Sequence, residues 1–180
     1  MERHKFDLDQ EMLEELSFEF DPVDFVKGLG LDDARSLEGN TASFEEYGRN
    51  LALSSIEKGE RRPDRVYEVM NEAVAKTGEM KFPLVPQRYI ELAYLGIQPF
   101  RRLWVVQNNS KVFSYKLNKC SVFDAITRWY GEKTATKMMC RAVCFALLKE
   151  IFAHFDFSIK ASLEADMASN GRCQFKIEQE

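Results

Sequence analysis

The chain has 180 residues, of which 45% are hydrophobic and 12% aromatic, and its formal net charge is −4. This composition suits one compact domain with a buried core and excludes a largely disordered chain. The acidic balance gives no electrostatic basis for nucleic-acid binding, since the only basic doublets, Arg61-Arg62 and Arg101-Arg102, are short and far apart. No apolar run approaches the length of a membrane span, so we expect no membrane contact.

The beginning of the chain, MERHKFDLDQ, is too charged for a signal peptide. We therefore expect a cytoplasmic protein, in which cysteines stay reduced. The four cysteines of the sequence are accordingly interpreted as free thiols or thiolate ligands and not as disulfides.

The first 98 residues are predicted to be mainly helical. A short helical pattern near the N-terminus breaks at Asp21-Pro22. The clearer helices are predicted from apolar residues at helical spacing and from their Pro and Gly boundaries, over 41–59, 63–78 and 88–96.

The remaining residues mix strands with helices. A hairpin is predicted around Asn108-Asn109 and a second one around Asn170-Gly171, because alternating apolar residues flank both turns. Between the hairpins, one helix is predicted to end near Gly131 and a longer one to run over about 133–155.

Two hairpins accompanied by amphipathic helices predict an α+β fold, in which an antiparallel sheet built from the hairpins is covered by helices. We expect a helical region over 1–98 to pack on an α+β ligand-binding core over 99–180. The two parts are predicted to form one compact domain overall.

The cysteines are the first candidates for a functional site. Cys140 and Cys144 are spaced one helical turn apart, so they share one face of the predicted long helix. Cys120 follows the first hairpin and Cys173 faces inward from the last strand. Together, the four sulfur atoms could converge on one tetrahedral metal ion. Free cysteines are also among the most frequently buried residues, so the same four would equally suit a plain core.

Other candidate chemistry is sparse. His154 lies ten residues beyond Cys144, about 15 Å along a continuous helix, so the two cannot share a metal. His154 is a candidate proton shuttle at the mouth of a pocket, or a residue that favours a helix C-terminus. Four aromatic residues are predicted to line an apolar pocket between sheet and helices, or else to form core: Trp104, Tyr115, Phe123 and Trp129.

The C-terminal half also resembles a known group. The segments LWVVQNNSKVFSYKLNKC, MMCRAVC and NGRCQFKI, within about residues 100–178, are similar to the small domains named after 4-vinyl reductase and to proteins like L-2-amino-thiazoline-4-carboxylic acid hydrolase. The resemblance implies an α+β domain with a ligand pocket. It also implies zinc at the positions of Cys140, Cys144 and Cys173. The hydrolase branch carries an aspartate shortly after the helix cysteine, whereas Cys144 is followed here by FALL.

Two functions follow as expectations. The first is a small-molecule-binding or sensor-type domain whose cysteine cluster binds a metal such as zinc. The alternative is a hydrolase that opens a C–N bond of a small heterocycle, with Cys144 or a metal-bound water as nucleophile. The expected partners are a small-molecule ligand and a second copy of the chain in a homodimer, to which the Leu- and Phe-rich N-terminal segment could contribute.

Overall fold

The structure is a computed structural model that describes residues 8–31, 37–78, 82–98 and 103–180, without the side chains of residues 37 and 38. In these residues the helices are α1 (Gln10–Glu19), α2 (Pro22–Gly28), α3 (Leu37–Arg61), α4 (Arg65–Thr77), α5 (Leu84–Ile97), α6 (Ser121–Tyr130), α7 (Glu132–Ala135), α8 (Arg141–His154) and α9 (Met167–Asn170). The strands are β1 (Leu103–Asn108), β2 (Val112–Leu117), β3 (Ile159–Ala165) and β4 (Cys173–Gln179).

The four strands form one antiparallel sheet in the order β1-β2-β4-β3, which confirms the predicted α+β fold. Each predicted hairpin forms, and the two are joined where β2 pairs with β4, for example at Tyr115 and Phe175. The second turn contains the short helix α9. It is capped by Asp166, whose carboxylate accepts a hydrogen bond from the backbone N–H of Ser169 at 2.7 Å.

One face of the sheet packs against helices. Alternate residues of the two central strands are fully buried, among them Phe113, Tyr115, Phe175 and Ile177. The ring of Phe175 stacks on Tyr115 at 5.3 Å and meets Phe145 of α8 edge-on at 5.7 Å. The period-two pattern of the central strands therefore places their apolar residues against α8.

The N-terminal helices pack on their own chain. Leu16 of α1 is fully buried against Gly96 of α5, and the Tyr47 hydroxyl donates a hydrogen bond to the carbonyl oxygen of Phe20 at 2.6 Å. Phe18 is 91% exposed. Most apolar residues of this segment thus belong to the intramolecular core, and the homodimer stays a prediction. The expected boundary between residues 98 and 99 adjoins a stretch outside the described residues.

The prediction that one helix covers residues 133–155 is wrong. Helix α7 ends at Ala135, and α8 begins only at Arg141. Between them Met138 adopts a positive φ of 55°, a left-handed conformation that a continuous right-handed helix does not contain. Cys140 consequently lies at the N-terminus of α8 instead of in the middle of a long helix.

Helix α3 also departs from prediction, because it continues through Gly59 to Arg61. Gly59 is needed for space, since a Cβ atom there would lie 2.5 Å from Cε1 of Tyr89 on α5. Gly48, about three turns earlier in α3, has the same function, because a Cβ atom there would overlap the carbonyl oxygen of Val143 on α8. Two glycines thus let α3 approach both neighbours closely. None of the described helices has the length and apolar character needed to cross a bilayer.

Replacement of Gly48 by alanine is expected to destabilise the protein. The added methyl group must push α3 away from the backbone of α8, and such overpacking costs about 1–3 kcal/mol. Chemical denaturation would measure the free energy of unfolding. Gly28→Ala is the control, because a Cβ atom there meets nothing within 4 Å. Equal stability of the two variants would contradict the close α3–α8 contact.

Candidate functional site

All four cysteines are buried, and each lies at or near the end of an element. Cys120 is the N-cap of α6, where its sulfur accepts a hydrogen bond from the backbone N–H of Phe123 at 3.5 Å. Cys140 and Cys144 lie at the start of α8, and Cys173 begins β4 opposite Leu117.

The four thiols influence one another electrostatically. A hydrogen bond with Cys140 lowers the pKa of Cys120, and the same bond raises the pKa of Cys140. Burial, followed by the charge of Cys120, raises the pKa of Cys144, and the same two causes raise the pKa of Cys173 to about 12. The structure therefore brings the four sulfur atoms into one neighbourhood.

This cluster does not have the geometry of a metal centre. Across the described part of the chain, no three side chains of His, Cys, Asp or Glu are placed to hold one metal ion together. Without a metal, Cys144 is a buried neutral thiol and not an activated thiolate nucleophile. The structure therefore does not show the predicted zinc site, which stays a prediction.

Two buried tyrosines adjoin the cluster. The hydroxyl oxygens of Tyr94 and Tyr115 lie 3.3 Å apart, and burial together with the nearby Cys144 raises the pKa of both. Tyr115 was predicted to line a ligand pocket, and the structure places it in the fully buried layer between sheet and α8. It is held there by stacking on Phe113 and Phe175.

The other predicted pocket residues do not join Tyr115. Trp104 pairs across the sheet with Lys116, whose Nζ lies 5.8 Å from its ring, and therefore occupies the opposite face from Tyr115. Trp129 is 48% exposed and has Lys27 at 5.4 Å from its ring. Phe123 is half-buried against the core. The structure thus does not bring Trp104 and Tyr115 into one pocket.

His154 is the last residue of α8. Its Nε2 lies 4.0 Å from Oε1 of Glu60, and its ring meets Phe155 edge-on at 4.8 Å. It lies ten positions after Cys144 in α8, a separation of about 15 Å along the helix axis. Cys144 and His154 therefore do not form a nucleophile–base pair.

A hollow between α4 and α5 was not predicted from the sequence. Its volume is about 150 Å³, and it opens to solvent on one side. Apolar and polar side chains both line it, namely Leu8, Asp64, Val66, Met70, Leu84, Gln87, Arg88 and Glu91.

Arg88 is the most unusual residue of this hollow, because only 5% of it is exposed. Its Nη2 lies 2.9 Å from Oδ2 of Asp64, the N-cap of α4, so its charge is balanced. Nevertheless Nε, Nη1 and Nη2 all lack a hydrogen-bond acceptor among the described residues. The guanidinium carbon lies 4.8 Å from the ring of Tyr67 and 5.6 Å from that of Tyr89.

The hydroxyl groups of these two tyrosines are both hydrogen-bonded to one carboxylate of α3. Glu60 accepts hydrogen bonds from the hydroxyl groups of Tyr67 at 2.9 Å and Tyr89 at 2.8 Å. Burial, followed by the hydrogen bond to Glu60, raises the pKa of Tyr89. Tyr89 therefore remains a neutral donor, and the two rings flank the guanidinium of Arg88.

Glu91 is the second buried charged residue of the hollow, with 3% exposure. Burial raises its pKa to about 7, against a lowering by the hydrogen bond from Gln87 and by the charge of Arg88. Gln87 donates to Oε1 of Glu91 at 3.0 Å and accepts from Asn108 at 2.6 Å. Strand β1 thus helps to orient the polar side of the hollow.

Comparisons with known proteins assign no family. No protein-family model and no curated protein matches the sequence. Among solved structures, trafficking protein particle complex subunit 3 from Naegleria fowleri, covalently bound to palmitic acid, is 10% identical, with 96% of this chain and 97% of that chain covered and a TM-score of 0.46. The H-NOX protein from K. algicida is 12% identical, with 94% and 93% covered and a TM-score of 0.36. Similarity this weak carries no functional conclusion.

Replacement of Glu91 by glutamine is expected to change how stability depends on pH. The folded chain keeps the Glu91 proton up to about pH 7, whereas the unfolded chain releases it near 4.5. Stability from this group is therefore greatest below 4.5 and falls as pH rises to 7, by up to about 3 kcal/mol.

In the Glu91→Gln variant this fall should disappear, so that the variant is more stable than the parent at pH 8. Chemical denaturation at a series of pH values measures the free energy of unfolding of both proteins. Glu72→Gln, which removes one exposed carboxylate from α4, controls for the change in net charge. A parent and a Glu91→Gln variant with the same pH profile would mean that Glu91 is ionised throughout.

Proposed function

We propose that this chain is a small-molecule-binding domain whose ligand occupies the hollow between α4 and α5. The observation that carries the proposal is the buried guanidinium of Arg88, whose three nitrogen atoms lack a hydrogen-bond acceptor from the described residues. A buried donor without an acceptor costs about 1–3 kcal/mol, and more when it is charged. A ligand that supplies an acceptor removes this cost.

The composition of the hollow supports the same function. Binding sites for small molecules are mostly apolar concave surfaces with a few convergent polar groups. Here Val66, Met70 and Leu84 provide apolar wall, while Arg88 and Glu91 provide buried polar groups. A dry cavity of about 150 Å³ is able to hold a benzene molecule, so the hollow accepts a group of that size.

The cysteine cluster is proposed as a second, separate binding site, for zinc. Its support is the mutual proximity of four thiols from α6, α8 and β4, which is the donor set of a structural zinc site. Bound zinc would hold these thiols as thiolates and join the sheet to α8. No residue arrangement among the described residues favours the alternative, a hydrolase.

Elemental analysis of the purified protein tests the zinc site. One zinc per chain is expected, and Cys144→Ser should reduce this value well below one and lower the melting temperature. The matched control is Ser55→Cys, a buried exchange on α3 that adds a thiol outside the cluster. A metal-free parent protein that is not stabilised by added zinc would refute the site.

Filling the hollow tests the ligand-binding function. In a thermal-shift screen of small aromatic and aliphatic compounds, compounds that stabilise the parent chain should fail to stabilise Met70→Trp, because the larger side chain occupies the hollow. Val69→Trp adds the same side chain on the exposed face of α4, where Val69 is 58% exposed, and should respond as the parent does. A screen without any compound sensitive to Met70→Trp would contradict the proposal.

A further inference from the structure

We propose that the hollow binds a free apolar α-amino acid, whose carboxylate contacts Arg88 and whose ammonium group contacts Glu91. The inference rests on the proposed function, because it assumes that the ligand lies between α4 and α5. It adds the chemical class of the ligand.

We infer the carboxylate of the ligand from the N–H donors of Arg88 that have no acceptor among the described residues. A guanidinium group carries five N–H donors, and its fork matches a carboxylate with two parallel hydrogen bonds. Asp64 lies 2.9 Å from Nη2 as an ion pair without hydrogen-bond geometry, and no described residue accepts a hydrogen bond from Nε, Nη1 or Nη2. The rings of Tyr67 and Tyr89 interact with the guanidinium through their faces and supply no acceptor there.

We infer the ammonium group of the ligand from the charges of the side chains that line the hollow. The described lining contains two carboxylates, Asp64 and Glu91, but one guanidinium. Since Asp64 is the residue paired with Arg88, no other cation among the described residues forms an ion pair with Glu91. Its recorded side-chain hydrogen bond comes from Gln87 and reaches only Oε1. A ligand ammonium would pair with Glu91, while a ligand carboxylate alone would be repelled by both acids.

One ligand must therefore carry both an acceptor for Arg88 and a cation for Glu91, because burial of an unpaired polar or charged group is costly. A zwitterion meets this condition and still offers one donor group and one acceptor group. The apolar part of the wall, formed by Leu8, Val66, Met70 and Leu84, suits an aliphatic side chain. These requirements together describe an amino acid of the size of leucine or methionine.

Three probes with one carbon skeleton test the class. L-leucine carries both charges, 4-methylpentanoate lacks the ammonium group, and 3-methylbutylamine lacks the carboxylate. Titration calorimetry of the full chain at pH 8 is expected to give at least tenfold tighter binding for L-leucine than for either single ion. Met70→Trp should abolish the binding of L-leucine, and Val69→Trp should preserve it.

Two substitutions test the proposed contacts of the ligand ammonium group with Glu91 and of the ligand carboxylate with Arg88. Glu91→Gln should bring the affinities for L-leucine and 4-methylpentanoate to within threefold of each other. Arg88→Lys should do the same for L-leucine and 3-methylbutylamine, because lysine lacks the planar fork. If circular dichroism shows that Arg88→Lys does not fold, the change in preference caused by Glu91→Gln still decides.

The possible results distinguish a wrong ligand class from the absence of any ligand in the hollow. Tighter binding of a single ion, equal binding of all three probes, or no binding of any probe would overturn the amino-acid class. In each of those cases, a screening compound that Met70→Trp excludes would leave the ligand-binding function intact. The absence of any such compound would refute both.

Discussion

The close approach of α3 to α5 and to α8 is the constraint on which both candidate sites depend. At Gly59 the missing side chain makes room for the ring of Tyr89, and at Gly48 it makes room for the backbone of Val143. The first contact holds Tyr89 beside Glu60, and the second fixes the turn of α8 that carries Cys144. Any larger residue at either position would separate helices whose side chains are otherwise fully packed.

The polar and charged side chains at the hollow contact one another in a series that begins at Glu60 of α3. Glu60 accepts hydrogen bonds from two tyrosines, the tyrosine rings flank Arg88, and Asp64 balances the charge of Arg88. Each of these contacts therefore restricts the next side chain, and the guanidinium is held in place although no described residue accepts a hydrogen bond from it.

The fold could be predicted from the sequence because its signals are local. The hollow could not, because it is formed by tertiary packing. Strand alternation and the Asn-Gly and Asn-Asn turns are local signals, so both hairpins could be recognised. Arg88 and Glu91 are three residues apart in α5, a spacing typical of an exposed polar face, and Asp64 is a normal N-cap. These charges are buried by tertiary packing around α5, which the local sequence does not specify. Met138, with its positive φ, likewise carries no local signal for the break before α8.

The two sites have opposite physical character. The cysteine cluster is buried beside the fully buried rings of the sheet, and its thiols interact with one another and with Tyr94 and Tyr115. Packing alone accounts for such a group, since a thiol tolerates an apolar environment. A guanidinium does not, because its charge and its donors both require partners. Among the described residues, Asp64 meets the first requirement by balancing the charge, and none meets the second with a hydrogen bond to the guanidinium.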